Sequence, residues 1–331
     1  TEENNMKYWE WQTKRVSRIA LGSTNFGEPM SVEESWRVMD YAREQGVNFF
    51  DTARIYGYWY KEGGRNGYCE KVMGDYMTNR GCRNEIYLVT KGAHPPFEDR
   101  GVSRLTPQCL REDLEGSLRD LGTDHIDLYF LHRDHPDMDL PAVMETLHAF
   151  VKEGKVLALG ASNWHYGRIR EANEYAEKHA LTPFCTSQVE WSMAKLADGT
   201  AGDKTQVVLT PEEYEAYRKS GLLLMAYTSQ AHGLFSKALA AGGYESLAAA
   251  GKLGKYKDPA NRHRVEAALS LCRKYGVSPA ALAVAYITGQ GFPAVPILGC
   301  SRLEQMKDSL SAADLVLQPE DYKLILQEDI I

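Results

Sequence analysis

The stretch of residues 86–132 decides the fold. It opens with the apolar run IYLVTK (86–91) and closes with the run IDLYFLH (126–132). Between them lies TPQCLREDLEGSLRDLG (106–122), an amphipathic segment with a Thr-Pro helix start and a glycine where the helix should end. Two short β-rich runs joined through a helix pair in parallel by a right-handed crossover. The stretch therefore predicts one strand–helix–strand unit.

The same alternation continues along the whole chain. Further helix starts are marked by Ser31, with Glu34 three residues later, and by Thr210 with Pro211. The β-rich runs fall at residues 18–22, 47–51, 86–91, 126–132, 156–162, 184–188, 222–227 and 295–299. Eight strand–helix units of this length favour a closed (β/α)8 barrel, the TIM barrel of the α/β class. A doubly wound open sheet is the alternative.

Composition and charge limit the domain organisation and the kinds of binding partner. The chain has 331 residues, of which 44% are hydrophobic and 25% charged, without a break in composition, so we expect a single barrel domain over residues 1–331. The formal net charge of −7, without a long basic run, argues against a nucleic acid or an anionic membrane surface as partner. A small-molecule substrate is the better expectation.

The cysteines and the first residues bear on location. The six cysteines stand apart without a C-x-x-C pair, and residues 1–14 are polar without the apolar core of a signal peptide. No run approaches the roughly 20 apolar residues of a membrane helix. These features predict a protein of the reducing cytoplasm, and they do not indicate an oligomeric state.

Polar side chains stand at the predicted strand ends. Asp51, Lys91 and His132 each follow an apolar run, and Tyr56 comes five residues after Asp51. In a TIM barrel the carboxyl ends of the strands share one rim, where the chemistry takes place. An acid, a phenol, an amine and an imidazole brought together are the groups that move a proton to or from a carbonyl oxygen. The sequence therefore predicts an enzyme.

Two predicted connections at the same rim, residues 189–209 and 228–260, are too long to be simple turns. Long loops at this face of a barrel usually cover a ligand. A bound small molecule is therefore expected beneath them.

Several segments closely resemble the aldo-keto reductases. The resemblance is carried, in order along almost the whole chain, by DTARIYG (51–57), Lys91, His132, GASN (160–163), Gln188 and PILG (296–299). Residues 6–16 are similar to a shortened form of the hairpin that closes the barrel bottom in that family. The resemblance implies an NADPH-dependent carbonyl reductase with Tyr56 as proton donor. On chemistry alone Tyr58 and Tyr60 suit that role equally, and only the family spacing selects Tyr56.

Elementary chemistry agrees with these roles. A phenol with a pKa of about 10 needs a neighbouring ammonium that makes its phenolate accessible at neutral pH. Lys91 would supply the ammonium, Asp51 would keep it charged and oriented, and His132 would hydrogen-bond the substrate oxygen. Hydride would come from the cofactor.

Each of these residues also suits a structural role. Asp51 could cap a turn, Lys91 could be a surface lysine, and His132 within HRDH (132–135) could bind a metal. The first strand, however, ends in LGST (21–24), which contains no metal ligand. We therefore expect no bound metal.

Cofactor phosphates are expected after the last strand. A G-x-G-x-x-A match at residues 289–294 follows a predicted helix and precedes a strand, the reverse of a Rossmann site, so we do not assign a dinucleotide to it. Gly299 instead leads into a helix start where backbone N–H groups can bind phosphate. By resemblance, Ser301 and Arg302 would contact the adenosine 2′-phosphate and Gln305 the ribose, which favours NADPH over NADH.

The same resemblance assigns the rest of the cofactor. The residues are Asp308 and Ser309 for adenine, where the family commonly has Glu-Asn, then Ser162, Asn163 and Gln188 for the nicotinamide amide, and Tyr227 for stacking on its ring. Tyr227 would equally suit an ordinary aromatic position at the barrel top.

Substrate identity is the least defined feature. Phe26, Trp59, Trp164 and Trp191, together with Met193, fall in loops after the first, second, fifth and sixth strands, where they would form an aromatic pocket wall or pack beneath the loops. Such a wall suits aryl aldehydes, sugars and steroids alike. A second function remains open on the same fold: a redox-sensing subunit that binds the nucleotide, similar to the potassium-channel β-subunits.

Overall fold

Each predicted β-rich run forms a strand, and the strands close on themselves. The computed structural model describes residues 6–12, 14–200 and 202–327. The strands are β1 (Tyr8–Trp11), β2 (Lys14–Ser17), β3 (Ala20–Gly22), β4 (Phe49–Asp51), β5 (Tyr87–Gly92), β6 (Ile126–Leu131), β7 (Val156–Ser162), β8 (Phe184–Glu190), β9 (Leu223–Tyr227) and β10 (Ala294–Leu298). Strands β3 to β10 form a closed parallel barrel in the order β10-β3-β4-β5-β6-β7-β8-β9. The (β/α)8 prediction is confirmed, and the open sheet is wrong.

Helices alternate with the barrel strands. They are α1 (Val32–Glu44), α2 (Tyr68–Arg80), α3 (Pro107–Leu121), α4 (Leu140–Lys152), α5 (Tyr166–Lys178), α6 (Pro211–Ser220), α7 (Leu234–Ala241), α8 (Tyr244–Ala249), α9 (Ala260–Tyr275), α10 (Pro279–Thr288), α11 (Leu303–Leu310) and α12 (Pro319–Leu326). Pairing sets Gly92 beside Leu131 and Ser162 beside Gln188, so the residues at these strand ends lie at one rim.

The local helix signals act as the sequence indicates. Ser31, Thr106 and Thr210 each accept a hydrogen bond from the backbone N–H three residues on, at 3.1, 3.3 and 3.2 Å. Gly122 ends α3 with a φ of 63°, a left-handed conformation that glycine adopts without strain. The helix boundaries are therefore set by short-range chemistry.

The barrel is filled at its amino-terminal end and closed there by the hairpin β1–β2. The inner side chains include Val16, Phe49 and Tyr87, of which the last two meet edge to face at 5.2 Å. Trp9 and Trp11 of the hairpin pack against this cluster. This packed end leaves the opposite rim to carry the site.

The structure differs from the predicted elements in two places. Strand β3 begins at Ala20 rather than at Arg18, whose guanidinium lies 3.9 Å from the ring centre of Trp9 in the hairpin. The second long connection is not a plain loop, because it contains α7 and α8. In the part of the chain that the structure describes, no helix has the length and apolar character needed to cross a bilayer.

Candidate active site

Lys91 lies fully buried at the carboxyl end of β5 and joins two other predicted catalytic residues. Its Nζ is 2.6 Å from Asp51 Oδ1, 2.7 Å from the Thr52 carbonyl oxygen and 3.4 Å from the Tyr56 hydroxyl. An ammonium has three N–H donors, and these contacts use all of them. Asp51 ends β4 and accepts a second hydrogen bond, at 2.9 Å, from Gln188 Nε2 on β8. The charged pair is therefore held from three strands.

Geometry separates the three neighbouring tyrosines. Tyr58 is exposed and donates its hydroxyl to Glu98 Oε1 at 2.6 Å. Tyr60 donates to the Thr24 carbonyl oxygen at 2.7 Å. Tyr56 alone among the three contacts Lys91 in the described residues, and it lines the cavity at this rim. The contact with Lys91 thus distinguishes Tyr56 from the other two tyrosines, which residue chemistry alone does not do.

The surroundings set the protonation of these groups. Burial raises the pKa of Tyr56, and the Lys91 ammonium opposes that rise, so the phenol keeps its proton at neutral pH. Burial alone would lower the pKa of Lys91, but Asp51 and Tyr56 raise it overall, so the amine stays charged. A protonated phenol beside a fixed cation is a suitable proton donor.

His132 directly follows β6 and remains neutral. Burial, followed by the charge of Arg133, holds the pKa of His132 well below its ordinary value. Its ring centre lies 5.8 Å from that of Tyr56 and 4.7 Å from that of His94. The buried Nδ1 has no hydrogen-bond partner among the described residues. A neutral imidazole can donate one N–H to an oxygen held beside Tyr56.

A large cavity opens beside these residues. Its volume is about 1270 Å³, more than the roughly 300–1,000 Å³ of a usual ligand pocket, which leaves room for a dinucleotide and a small substrate. It is lined at one end by Asp51, Tyr56 and His132. The predicted cofactor residues that line it are Ser162, Asn163, Gln188, Tyr227, Gly299, Ser301, Arg302, Gln305, Asp308 and Ser309.

Asn163 is more constrained than the sequence suggested. Its Nδ2 donates to the His132 carbonyl oxygen at 3.2 Å and to Ser162 Oγ at 3.1 Å. Its Oδ1 accepts from the Val207 N–H at 3.1 Å and from the Tyr227 hydroxyl at 2.7 Å. An amide has two donors and two acceptor positions, so Asn163 is saturated by protein contacts. It holds the rim together and has no capacity left for a ligand amide unless one of these bonds breaks.

The opposite end of the cavity surrounds the start of α11. Gln305 Oε1 accepts from the Ser301 N–H at 2.8 Å and from its hydroxyl at 3.1 Å. Glu34 Oε1, from α1, accepts from the first helical N–H, that of Leu303, at 2.9 Å. Arg302 is exposed. The segment 289–294 follows α10 and runs into the first residue of β10, the helix-then-strand order for which its Rossmann-like pattern was set aside.

The predicted aromatic wall is largely absent. Trp59 lines the cavity and is 46% exposed. Phe26, Trp164 and Trp191 are buried away from the cavity lining, as is Met193. Trp191 stacks on Phe292 with the rings at 8°. Of the two arrangements that the sequence left open, these buried residues adopt packing beneath the loops, where they find apolar neighbours.

Sequence reasoning missed several residues of the cavity wall. They are His94, Phe97 and Arg100 after β5, Arg133 after β6, and Asp203 and Gln206 after β8. Arg133 had a usable signal, because it directly follows a predicted catalytic histidine. The loop residues had none, since their positions depend on the path of the loop. Among the described residues, no three His, Cys, Asp or Glu side chains come together as a metal site.

Comparisons with known proteins agree with the barrel fold. The model of the aldo/keto reductase family matches residues 18–329. The uncharacterized oxidoreductase YrpG of Bacillus subtilis (strain 168) is 33% identical, over 94% of this chain and 91% of that protein. Norsolorinic acid reductase stcV of Emericella nidulans is 28% identical, over 93% and 76% of the two chains.

A probable voltage-gated potassium channel subunit beta of Oryza sativa subsp. japonica is 29% identical, over 92% of this chain and 90% of that protein. The relatives therefore include both oxidoreductases and a channel subunit. The family match covers nearly every barrel element and all of the rim residues described above. The chain belongs to the aldo/keto reductase family.

Proposed function

We propose that this protein is an NADPH-dependent oxidoreductase that reduces an aldehyde or ketone to an alcohol, with Tyr56 as proton donor. The observation that carries the proposal is the placement of Lys91 Nζ between Asp51 Oδ1, at 2.6 Å, and the Tyr56 hydroxyl, at 3.4 Å. A buried cation held against a phenol at the wall of a cavity has no evident structural purpose that an apolar residue would not serve.

The chain's own residues would divide the work in this way. His132 donates a hydrogen bond to the carbonyl oxygen and sets its angle. Tyr56 delivers its proton to the same oxygen as negative charge develops there, while Lys91 stabilises the phenolate that remains. A bound nicotinamide would supply the hydride that the carbonyl carbon receives. Asp51 keeps Lys91 charged and in place throughout.

The cavity suits such a cofactor. Gln188 holds Asp51 through its Nε2, which leaves Oε1 for the nicotinamide amide, with Ser162 beside it. Tyr227 would pack on the nicotinamide ring, with its orientation held by Asn163. At the far end, Gly299, Ser301, Arg302, Gln305, Asp308 and Ser309 would hold the adenosine and its phosphates. The guanidinium of Arg302 is the feature that favours the 2′-phosphate of NADPH.

A turnover assay tests the proposal. The purified protein, supplied with NADPH and a panel of aldehydes and ketones, should consume NADPH steadily with at least one carbonyl. Tyr56→Phe should lower turnover by roughly 10²–10⁴-fold, the usual worth of a positioned general acid, while NADPH affinity stays nearly constant. Tyr58→Phe is the matched control, because that hydroxyl contacts Glu98 instead of Lys91. Equal turnover in Tyr56→Phe and the parent would refute the assignment.

The likeness to the rice channel subunit supports a second candidate, a nucleotide-binding subunit that reports redox state to a partner. The same assay separates the two. Repeated turnover supports the enzyme, whereas one slow turnover per bound NADPH supports the sensor. For either function we propose a cytoplasmic location, which suits the free thiols of Cys69, Cys82, Cys109, Cys185, Cys272 and Cys300.

A further inference from the structure

A second basic side chain, Arg133, lies at the catalytic end of the cavity. It directly follows His132, lines the cavity and is only 7% exposed. Its Nε donates to Thr205 Oγ1 at 2.9 Å and its Nη1 to the His132 carbonyl oxygen at 2.8 Å. A guanidinium has five N–H donors, so three of them have no hydrogen-bond partner among the described residues. In the described residues, no carboxylate forms an ion pair with it.

A buried cation without a carboxylate is costly to the folded protein. Burial lowers the pKa of Arg133, but a guanidinium stays charged at any ordinary pH. Asp203 and the hydroxyls of Tyr227 and Tyr56 offset part of its desolvation, and an anion that takes up the free N–H groups would offset more of it. Because Arg133 faces a cavity, the missing anion can arrive with a ligand.

The charged residues around Arg133 leave a net positive charge at this wall of the cavity. Arg100 also lines this wall and donates to the Pro95 carbonyl oxygen at 3.1 Å. The Asp203 carboxylate is 3.8 Å from Arg100 Nε and also accepts from the Thr205 hydroxyl. Glu190 forms its ion pair with Lys255. Two arginines thus share one carboxylate, which Thr205 holds through its backbone N–H and its hydroxyl, in a protein whose formal net charge is −7.

This positive wall is separate from the end where cofactor phosphates are expected. Arg133 follows β6, whereas the segment 299–309 follows β10, and these strands stand four places apart around the eight-stranded barrel. They are diametrically opposed. An anion on Arg133 would therefore lie beside the reacting carbonyl.

We propose that the carbonyl substrate carries an anionic group, a carboxylate or a phosphate, that binds to Arg133 while its carbonyl oxygen lies at Tyr56 and His132. The inference rests on the proposed reductase function and names its substrate class. A guanidinium suits both anions, because its parallel N–H groups match their paired oxygens. Trp59 and Phe97, which line the same end, would pack on the apolar part of the substrate.

Matched substrate pairs test this directly. The 2-, 3- and 4-formylbenzoates are compared with their methyl esters, and glyceraldehyde 3-phosphate with glyceraldehyde, as kcat/KM ratios of the charged to the neutral member. The parent should prefer the charged member of at least one pair by roughly 10–100-fold, the worth of a charge-assisted bidentate contact. The pair that shows the preference identifies the anion as carboxylate or phosphate.

Variants then assign the preference to Arg133. Arg133→Gln should bring the ratio close to one, mainly through KM, and Arg133→Lys should restore part of it. Arg218→Gln is the control, since that arginine lies on α6 and pairs with Glu215 in the same helix. Ratios near one in the parent, or a preference that persists in Arg133→Gln, would overturn the proposal. If Arg133→Gln does not fold, Arg133→Lys decides: a ratio equal to that of the parent would overturn the paired contact with the guanidinium, and a preference that is lost in Arg100→Gln but kept in Arg133→Lys would place the anion on Arg100 instead.

Calorimetry keeps the two proposals distinguishable. If no carbonyl is turned over, 3-formylbenzoate is titrated into the parent and into Arg133→Gln without cofactor. Binding that weakens at least tenfold in the variant supports the anion site although the reductase proposal has failed. Equal binding in both proteins refutes the anion site.

Discussion

Lys91→Met is the most informative single change, because it removes a charge and keeps similar bulk. In the parent, the Lys91 ammonium lies 3.4 Å from the Tyr56 hydroxyl. At an effective dielectric constant of about 20, a unit charge at this 3.4 Å distance favours the phenolate by about 5 kcal/mol. Asp51, on the other side of the ammonium, cancels part of that preference. We therefore expect kcat to fall by roughly 10²–10⁴-fold, as for Tyr56→Phe.

The same change exposes a stability cost that must be kept apart from catalysis. Without Lys91, the Asp51 carboxylate, only 2% exposed, is a buried charge with no cation, which typically costs about 3–5 kcal/mol of unfolding free energy. The double variant Asp51→Asn/Lys91→Met removes both charges. It should recover part of this unfolding free energy and recover no turnover.

The assay is kcat at saturating NADPH with the best carbonyl of the panel, alongside urea unfolding of each variant. Tyr56→Phe/Lys91→Met should lose little more than either single variant, because the two side chains act as one unit. Turnover of Lys91→Met within about threefold of the parent would refute the role of the ammonium. Losses that multiply in the double variant would also contradict it.

Three further changes probe the far end of the cavity and one histidine of its wall, His94. Arg302→Ala should weaken NADPH binding by roughly 10–100-fold and leave NADH binding nearly unchanged in a fluorescence titration. Lys307→Ala, on the helix α11 that follows Arg302, is the control. Equal losses for both nucleotides would show that the 2′-phosphate does not bind to Arg302. Glu34→Gln should tighten NADPH binding relative to NADH in that titration, because it removes a negative charge at the start of α11; an unchanged ratio would contradict this. Burial lowers the pKa of His94 from 6.5 to about 3. Below pH 6.5 the unfolded chain therefore binds a proton at His94 that the folded protein does not bind, and the free energy of unfolding falls as the pH drops toward 3. Between pH 7.5 and 5.5, the free energy of unfolding measured in urea should therefore fall by about 1.4 kcal/mol less in His94→Gln than in the parent. An equal fall in both proteins would show that His94 is not buried in its neutral form.

The proposed catalytic residues illustrate how far local patterns reach. Asp51, Lys91 and His132 can be placed at one rim from the sequence alone, because each stands at the end of an apolar run and parallel strands bring such ends together. Tyr56 cannot be chosen over Tyr58 and Tyr60 from chemistry. That choice requires knowing which hydroxyl reaches Lys91, a contact between residues 35 apart in sequence.

The aromatic residues show where local patterns stop. A tryptophan in a loop has the same local signal whether it faces a cavity or packs beneath the loop. Trp59 and Trp191 differ in the structure because one loop leaves its ring at the cavity mouth and the other buries it against Phe292. Loop paths follow no short repeat, so sequence periodicity carries no information about them.

By itself, the sequence predicted the alternating strands and helices and their order, favoured a closed barrel over an open sheet, and placed Asp51, Lys91 and His132 at strand ends. Strand alternation and helix caps are short-range properties, whereas parallel pairing joins distant segments, and the closure of the barrel was decided by the structure. Only the tertiary structure decided that Asn163 is saturated by protein contacts, that Glu34 meets a helix start 269 residues away, and that Arg133 forms no ion pair with a carboxylate of the described residues. These features depend on contacts between segments that are distant in sequence, and such contacts form only in the folded chain.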